Sequence, residues 1–184
     1  VELSNLQRQI VHTTDALGEP KVESAKRTLL TLNPEVRIDT IGHRLEGDSL
    51  KAAVEAADVA IEATDNFDSR FALNQACVLT GTPLVSGAVI RMEGQVSVFK
   101  LDDPESPCYN CLYPETGGGG GTCAENGVLG SVAGIIGTIQ ATEAVKLLLG
   151  IGETLTGRLM LLDARTMEWH TVRLRKNTKC PTCQ

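Results

Sequence analysis

Two Cys-x-x-Cys knuckles constrain this chain most: Cys108-Tyr-Asn-Cys111 and, beyond residues 112–179, Cys180-Pro-Thr-Cys183. Together they present four thiolates, the donor set of a tetrahedral structural zinc site with Zn–S bonds of about 2.3 Å. The interval between the pairs is longer than in a compact zinc finger. A metal held by all four would therefore join two distant parts of one domain. Disulfides are the competing interpretation, and a cytosolic composition disfavours them. A thioredoxin-like redox pair needs its own fold context, which is missing around both knuckles. The expectation is one structural Zn2+ on Cys108, Cys111, Cys180 and Cys183.

The other two cysteines stand apart. Cys77 lies between Ala76 and Val78 in a helical stretch and is expected in the core, since a free thiol packs as a small apolar group. Cys123 follows a run of glycines and precedes a long helical stretch. A thiol near a helix N-terminus can have a lowered pKa and supply a reactive thiolate. An unused structural thiol is the equal alternative.

The 184 residues suit one domain with a full core, and 42% apolar with 22% charged residues suits a globular chain. Aromatics are only 3%, so the core must come from Val, Leu, Ile and Ala. A net charge of -6 argues against a general nucleic-acid binder. No charged-then-apolar leader opens the sequence, and a cytoplasmic location is expected. The most apolar stretch, residues 128–149, is interrupted by Gln140, Glu143 and Lys146, three apart and so on one helical face. A membrane span should lack such a stripe. The expectation is a buried helix with that stripe as its wet edge, packed closely through Gly130, Gly134 and Gly137.

Alternation of helical and extended patterns suggests an α/β fold. After Gly18-Glu19-Pro20, the spacing of Val22, Ala25, Leu29 and Leu32 predicts a helix that Asn33-Pro34 ends. A strand is expected over 36–41, a helix over 50–57, a buried strand over 59–61 and a helix from about Ser69 to Leu79. Strands at 84–85 and 95–99 follow, making a largely parallel sheet with helices on both faces. Residues 159–162 and 170–174 suggest an antiparallel extension. The five consecutive glycines, Gly117–Gly121, follow Tyr113-Pro114-Glu115-Thr116 and lack the strand–helix setting of a phosphate loop. They are expected to form a mobile surface segment.

Polar residues gather at two places. Ser4-Asn5-Leu6-Gln7-Arg8-Gln9 occupies an early loop, with Lys21 at the start of the first helix. Asp65 and Asn66 follow the short strand at 59–61, at the carboxyl edge where open α/β sheets bind ligands. Arg8 and Lys21 offer cations for phosphates, and Asp65 a carboxylate for magnesium or for orienting a nucleotide. Each also has a plain explanation: a surface cation, a first-turn lysine, or an N-cap for the next helix.

These motifs, with Lys21-Val-Glu, Asn33-Pro, Thr64-Asp-Asn and Ser86-Gly-Ala-Val-Ile-Arg-Met-Glu-Gly-Gln, closely resemble the MoeB/ThiF/HesA family, bacterial relatives of ubiquitin-activating enzymes. The resemblance spans the chain, and the cysteine pairs sit where that family's zinc ligands lie. It implies an ATP-dependent adenylyltransferase with a Rossmann-like, mostly parallel sheet. The substrate would be the C-terminal glycine of a small ubiquitin-like sulfur-carrier protein. Ser4, Asn5, Leu6, Gln7 and Arg8 would line the ATP site, and Arg8 and Lys21 would bind its phosphates. Asp65 would serve Mg2+ or nucleotide positioning, with Asn66 beside it. Cys123 matches a position where some members use a thiol for sulfur transfer or carrier capture. Members are usually homodimers.

One departure matters. The chain opens Val-Glu-Leu-Ser-Asn-Leu without an initiator Met, as if leaving a strand. The resemblance implies a single ThiF-type domain over 1–184 without its first strand–helix–strand unit, which in the family carries the glycine-rich nucleotide loop. Met92-Glu-Gly-Gln and the retained cysteine pairs favour the molybdopterin-synthase adenylyltransferases. The same chemistry on the thiamin-pathway carrier and a non-catalytic, zinc-stabilised scaffold are the alternatives.

Overall fold

The computed structural model describes residues 1–100, 102, 105–114 and 127–184. Cys123 and Gly117–Gly121 lie outside them. The chain divides into two compact units, Val1–Leu45 and Glu46–Gln184.

The first unit has two short 3-10 turns, Leu3–Asn5 and Thr14–Ala16, followed by helix α1 (Lys21–Leu32). Its buried anchors are small or polar: Asn5, His12, Ala16 and Ser24. The backbone N–H of Glu2 donates to Asn5 Oδ1 at 3.1 Å, and His12 Nδ1 meets Ser24 Oγ at 2.9 Å. Burial pushes the His12 pKa down, aided by the positive N-terminus and Lys21. Residues 36–41 form no strand. A strand needs a ladder partner. None exists among the described residues of this unit, and Val36 and Ile41 stay exposed.

The second unit contains α2 (Gly47–Glu55), β1 (Ala60–Glu62), α3 (Phe67–Thr80), β2 (Leu84–Ile90), β3 (Glu93–Phe99) and α4 (Tyr109–Leu112). It continues with α5 (Gly130–Leu149), β4 (Arg158–Asp163) and β5 (Glu168–Arg173). The strands form one five-stranded sheet in sequence order. Only β1 and β2 pair in parallel, while β2–β3, β3–β4 and β4–β5 are antiparallel. The architecture is α/β with the antiparallel extension, but the parallel share is smaller than expected. The reason is the connection between β2 and β3. Only Arg91 and Met92 join them, too short for a parallel crossover and long enough for a hairpin. Arg91 takes a left-handed φ of 53° to make that turn.

Helices cover both faces. Val85, Val96, Val98 and Leu162 of the sheet cluster with Val132, Ile136 and Ala144 of α5. Leu84 and Phe99, on the opposite face by strand alternation, cluster with Val54 of α2, Ala76 and Cys77 of α3, and Tyr109. Cys77 is a packing residue as expected: burial raises its thiol pKa to about 12.

Helix α5 corrects the expected wet edge. Gln140, Glu143 and Lys146 do share one face, but it turns inward: Gln140 and Glu143 are each only 4% exposed. Gln140 Nε2 donates to the carbonyls of Glu62 at 2.7 Å and Val85 at 3.3 Å. Glu143 pairs with Lys146 and accepts the backbone N–H of Leu155 at 2.7 Å. Val145, Leu148 and Leu149 lie exposed instead. The glycines of close approach also differ. Gly134 and Gly137 have open space where a Cβ would stand, whereas one on Gly87 would strike Gln140, and one on Gly94 would come 2.6 Å from Ile136. At 20 residues α5 is long and apolar enough to cross a membrane, the one such helix among the described residues. Its Gln140 and Glu143 are nonetheless spent inside the fold.

Candidate metal centre and active site

The four predicted cysteines come together within the second unit. Their sulfur atoms all lie within 4.8 Å of one another. Cys108 and Cys180 sulfurs are 3.7 Å apart, and those of Cys111 and Cys183 are 3.4 Å apart. A tetrahedron of Zn–S bonds near 2.3 Å has S···S edges of about 3.8 Å, so the cluster fits such an ion closely. It does not fit disulfides, whose sulfurs bond at about 2.05 Å, and all four cysteines are free.

Local structure explains the convergence. Cys108 immediately precedes α4, whose first turn carries Cys111. Asn74 of α3 secures that turn: its Oδ1 accepts from Tyr109 N at 2.9 Å, and its Nδ2 donates to Asn110 Oδ1 at 2.7 Å and to Cys108 Sγ at 3.7 Å. From the C-terminal knuckle, Asn177 N donates to Cys111 Sγ at 3.4 Å. Burial pushes the Cys108 and Cys183 thiols up. At Cys180, burial also acts upward, but N–H groups of Thr182 and Cys183 outweigh it and bring the thiol down to about 7. A bound cation would draw all four to thiolates. With four protein donors it would keep no open position, and its role would be to cross-link residues 108–111 with the C-terminal tail.

The second site is the turn between β1 and α3. Asn66 is the N-cap of α3, its Oδ1 accepting from Ser69 N at 2.8 Å. The capping role considered for Asp65 therefore belongs to its neighbour. The Asp65 side chain is exposed, and no hydrogen bond or ion pair occupies it among the described residues of its unit. Beneath the turn lies Glu62, 1% exposed. Its Oε1 accepts from Thr64 N at 2.5 Å and Thr64 Oγ1 at 2.6 Å, and its Oε2 accepts from Ser86 Oγ at 2.8 Å. Arg70 of α3 forms an ion pair with Glu62 at 3.5 Å and donates from Nη2 to Thr64 O at 2.5 Å. Its guanidinium also covers the Phe67 ring at 5.6 Å.

This turn opens onto a cavity of about 370 Å³ over the carboxyl end of β2. Asp65, Phe67, Arg70, Gln95, Tyr113 and His170 are among its walls. Tyr113 donates to Gln95 Oε1 at 2.8 Å. Although aromatics are scarce, every Phe and Tyr in the chain joins one cluster that includes Phe67 and Tyr113 of this wall: Phe67, Phe71, Phe99, Tyr109 and Tyr113. The volume suits a small ligand or an extended peptide end. On the rim, hydrogen bonds from Arg165 hold the Asp163 carboxyl down to about 2.

The remaining predicted residues lie in the first unit. Ser4, Asn5, Leu6, Gln7 and Arg8 form one tight turn, with Arg8 Nη1 donating back to Ser4 O at 3.0 Å. Asn5 is buried and structural, while Ser4 and Gln7 are exposed. Lys21 is exposed at the first position of α1. Glu62 and Arg70 were missed from the sequence, although a glutamate closing the apolar run Val59-Ala60-Ile61 was an available signal.

The geometry has clear relatives. The chain is 46% identical over 185 residues to the SAMP-activating enzyme E1 of Haloferax volcanii, matching all of this chain and 67% of that protein. It is 42% identical to the molybdopterin-synthase adenylyltransferase of Escherichia coli K12, again over its full length and 73% of the relative. Identity to the sulfur carrier protein ThiS adenylyltransferase of the same organism is also 42%, covering 72% of it. Among solved structures, Escherichia coli MccB with ATP superposes with a TM-score of 0.79 at 17% identity. MccB, the microcin C7 biosynthetic enzyme, in complex with N-formylated MccA gives 0.85 at 18%. This likeness concerns the fold, and the chain spans 56% and 58% of the length of those two proteins. The ThiF family profile matches residues 1–182. With the family matched across nearly the whole chain and identities above 40% to several relatives, this protein belongs to the ThiF family.

Proposed function

We propose that the protein containing this chain is an ATP-dependent adenylyltransferase acting on the C-terminal glycine of a small ubiquitin-like sulfur-carrier protein. The observation that supports this most is the exposed carboxylate of Asp65, unpaired among the described residues of its unit, on a turn pinned at the carboxyl end of β1, in a chain of this family. Relatives named adenylyltransferases for molybdopterin synthase and for ThiS stand at about the same identity. Together they support a small sulfur-carrier protein as the substrate class. The molybdopterin-synthase small subunit is the first candidate, on Met92-Glu-Gly-Gln and the cysteine pairs, and the thiamin-pathway carrier is the second.

In the reaction, a carboxylate oxygen of the terminal glycine attacks the α-phosphorus of ATP. The new bond gives an acyl-adenylate, and the bond to the β-phosphate oxygen breaks to release pyrophosphate. Positioning and charge stabilisation dominate such a step. Arg8 and Lys21 bind phosphates, Ser4 to Gln7 line the nucleotide, and Asp65 serves Mg2+ or orients the nucleotide beside Asn66. Mg2+ would supply neutralisation of the phosphate charge. Cys123 is the candidate thiol for a later sulfur-transfer or capture step. A homodimer in the cytoplasm completes the reading.

The test is ATP–pyrophosphate exchange by the protein with each candidate carrier. Exchange stimulated by one carrier establishes the activity and the pathway. No exchange with any carrier would favour a zinc-stabilised scaffold.

A further inference from the structure

We infer that Glu62 is a positioning residue for the adenylation site, acting through Thr64 and Arg70 on Asp65; this rests on the reading of Asp65 above. The turn is held at three points. Glu62 grips the N–H and hydroxyl of Thr64, Arg70 takes the Thr64 carbonyl, and Asn66 is tied to Ser69. Asp65 is the residue between the pinned Thr64 and the pinned Asn66. Its backbone is thereby restrained on both sides while its carboxylate is left for a ligand.

The strength of that hold comes from charge in a dry place. Glu62 is 1% exposed and the Arg70 side chain 12% exposed, so their pairing is little screened by solvent. Ser86 of β2 fixes the second carboxylate oxygen at 2.8 Å, and Gln140 of α5 fixes the Glu62 carbonyl at 2.7 Å. The carboxylate is thus anchored to the neighbouring strand, and its residue to the helix behind the sheet. Three elements, α3, β2 and α5, fix Glu62, and Glu62 hands that rigidity to the turn.

Residues that hold metal-binding groups in place typically change metal affinity or activity by about 10- to 100-fold when replaced. Glu62→Gln keeps the shape and one acceptor oxygen but removes the charge facing Arg70. The experiment measures Mg2+·ATP binding by titration calorimetry and carrier-dependent pyrophosphate exchange, for wild type, Glu62→Gln, Asp65→Asn and the double variant. Melting temperature is followed throughout. The expected result is Mg2+·ATP binding about 10-fold weaker in Glu62→Gln, with the KM for the carrier unchanged. In the double variant, binding should be no weaker than in Asp65→Asn alone, because the effect of Glu62 passes through Asp65.

Additive losses in the double variant would overturn the inference while leaving the role of Asp65 standing. Unchanged binding in Glu62→Gln would overturn it as well. If Asp65→Asn binds and exchanges like wild type, the reading of Asp65 falls and this inference with it. Should Glu62→Gln fail to fold, Thr64→Val, which deletes only the hydroxyl grip on Glu62, takes its place with the same criteria and a smaller expected loss of about 3-fold.

Discussion

The cysteine cluster and the β1–α3 turn lie in the same unit and use their polar groups in opposite directions. In the cluster, all four donor atoms point at one another, and Cys108 and Cys180 are fully buried. At the turn, buried Glu62 and half-buried Arg70 are spent on backbone and on each other, while Asp65 is exposed at the cavity wall. A closed donor set leaves nothing for a substrate and serves the fold. A pinned backbone with a free carboxylate leaves one group ready for a ligand. The two arrangements should therefore fail differently when disturbed.

The largest expected effect separates them at the metal. Structural zinc contributes binding energy on the order of 10 kcal/mol that is also folding energy. Cys180→Ser should drop zinc from about one per chain to well under half, with a large fall in melting temperature; elemental analysis and thermal melts read both. Full zinc retention would refute the four-cysteine site. At the turn the split reverses. Asp65→Ala should cut pyrophosphate exchange by about 100-fold or more, with stability within about 0.5 kcal/mol of wild type. Exchange close to wild type would end its assigned role.

Smaller effects sharpen the contrast. Gly94→Ala forces a Cβ to within 2.6 Å of Ile136 and should cost about 1–3 kcal/mol in denaturant melts, with zinc content unchanged. Asn66→Ala removes the N-cap of α3 and should cost about 1 kcal/mol. The smallest effect concerns acid. The Asp163 carboxyl is depressed to about 2 by Arg165. Its contribution is complete above the ordinary carboxylate pKa of about 3.9 and is lost as pH falls through about 2. Asp163→Asn should therefore flatten the stability profile only on that acid limb, as measured by melts at stepped pH.

The sequence disclosed the cysteine cluster because zinc knuckles have short, fixed spacing that survives without knowledge of the fold. It also placed Asp65 at a strand's carboxyl end and marked the helices over 21–32 and 67–80 to within a few residues. Pairing partners were harder to see. The hairpin of β2 and β3 turns on Arg91-Met92 in place of the usual Gly or Asn, so its chemistry carried no turn signal. Residues 36–41 have the alternation of a strand, yet alternation specifies a face without supplying a partner. Glu62 went unnoticed because charge suggests exposure, and only tertiary structure reveals the four groups that satisfy it.

The inward Gln140 and Glu143 of α5 have a consequence for how that helix finds its place. An apolar surface is forgiving, and a greasy cylinder can roll on it with little penalty. Here a roll of one residue, about 100°, would tear Gln140 from two carbonyls and Glu143 from the Leu155 amide together. The helix seats like a notched key, and the grooves cut for it are Gly87 and Gly94.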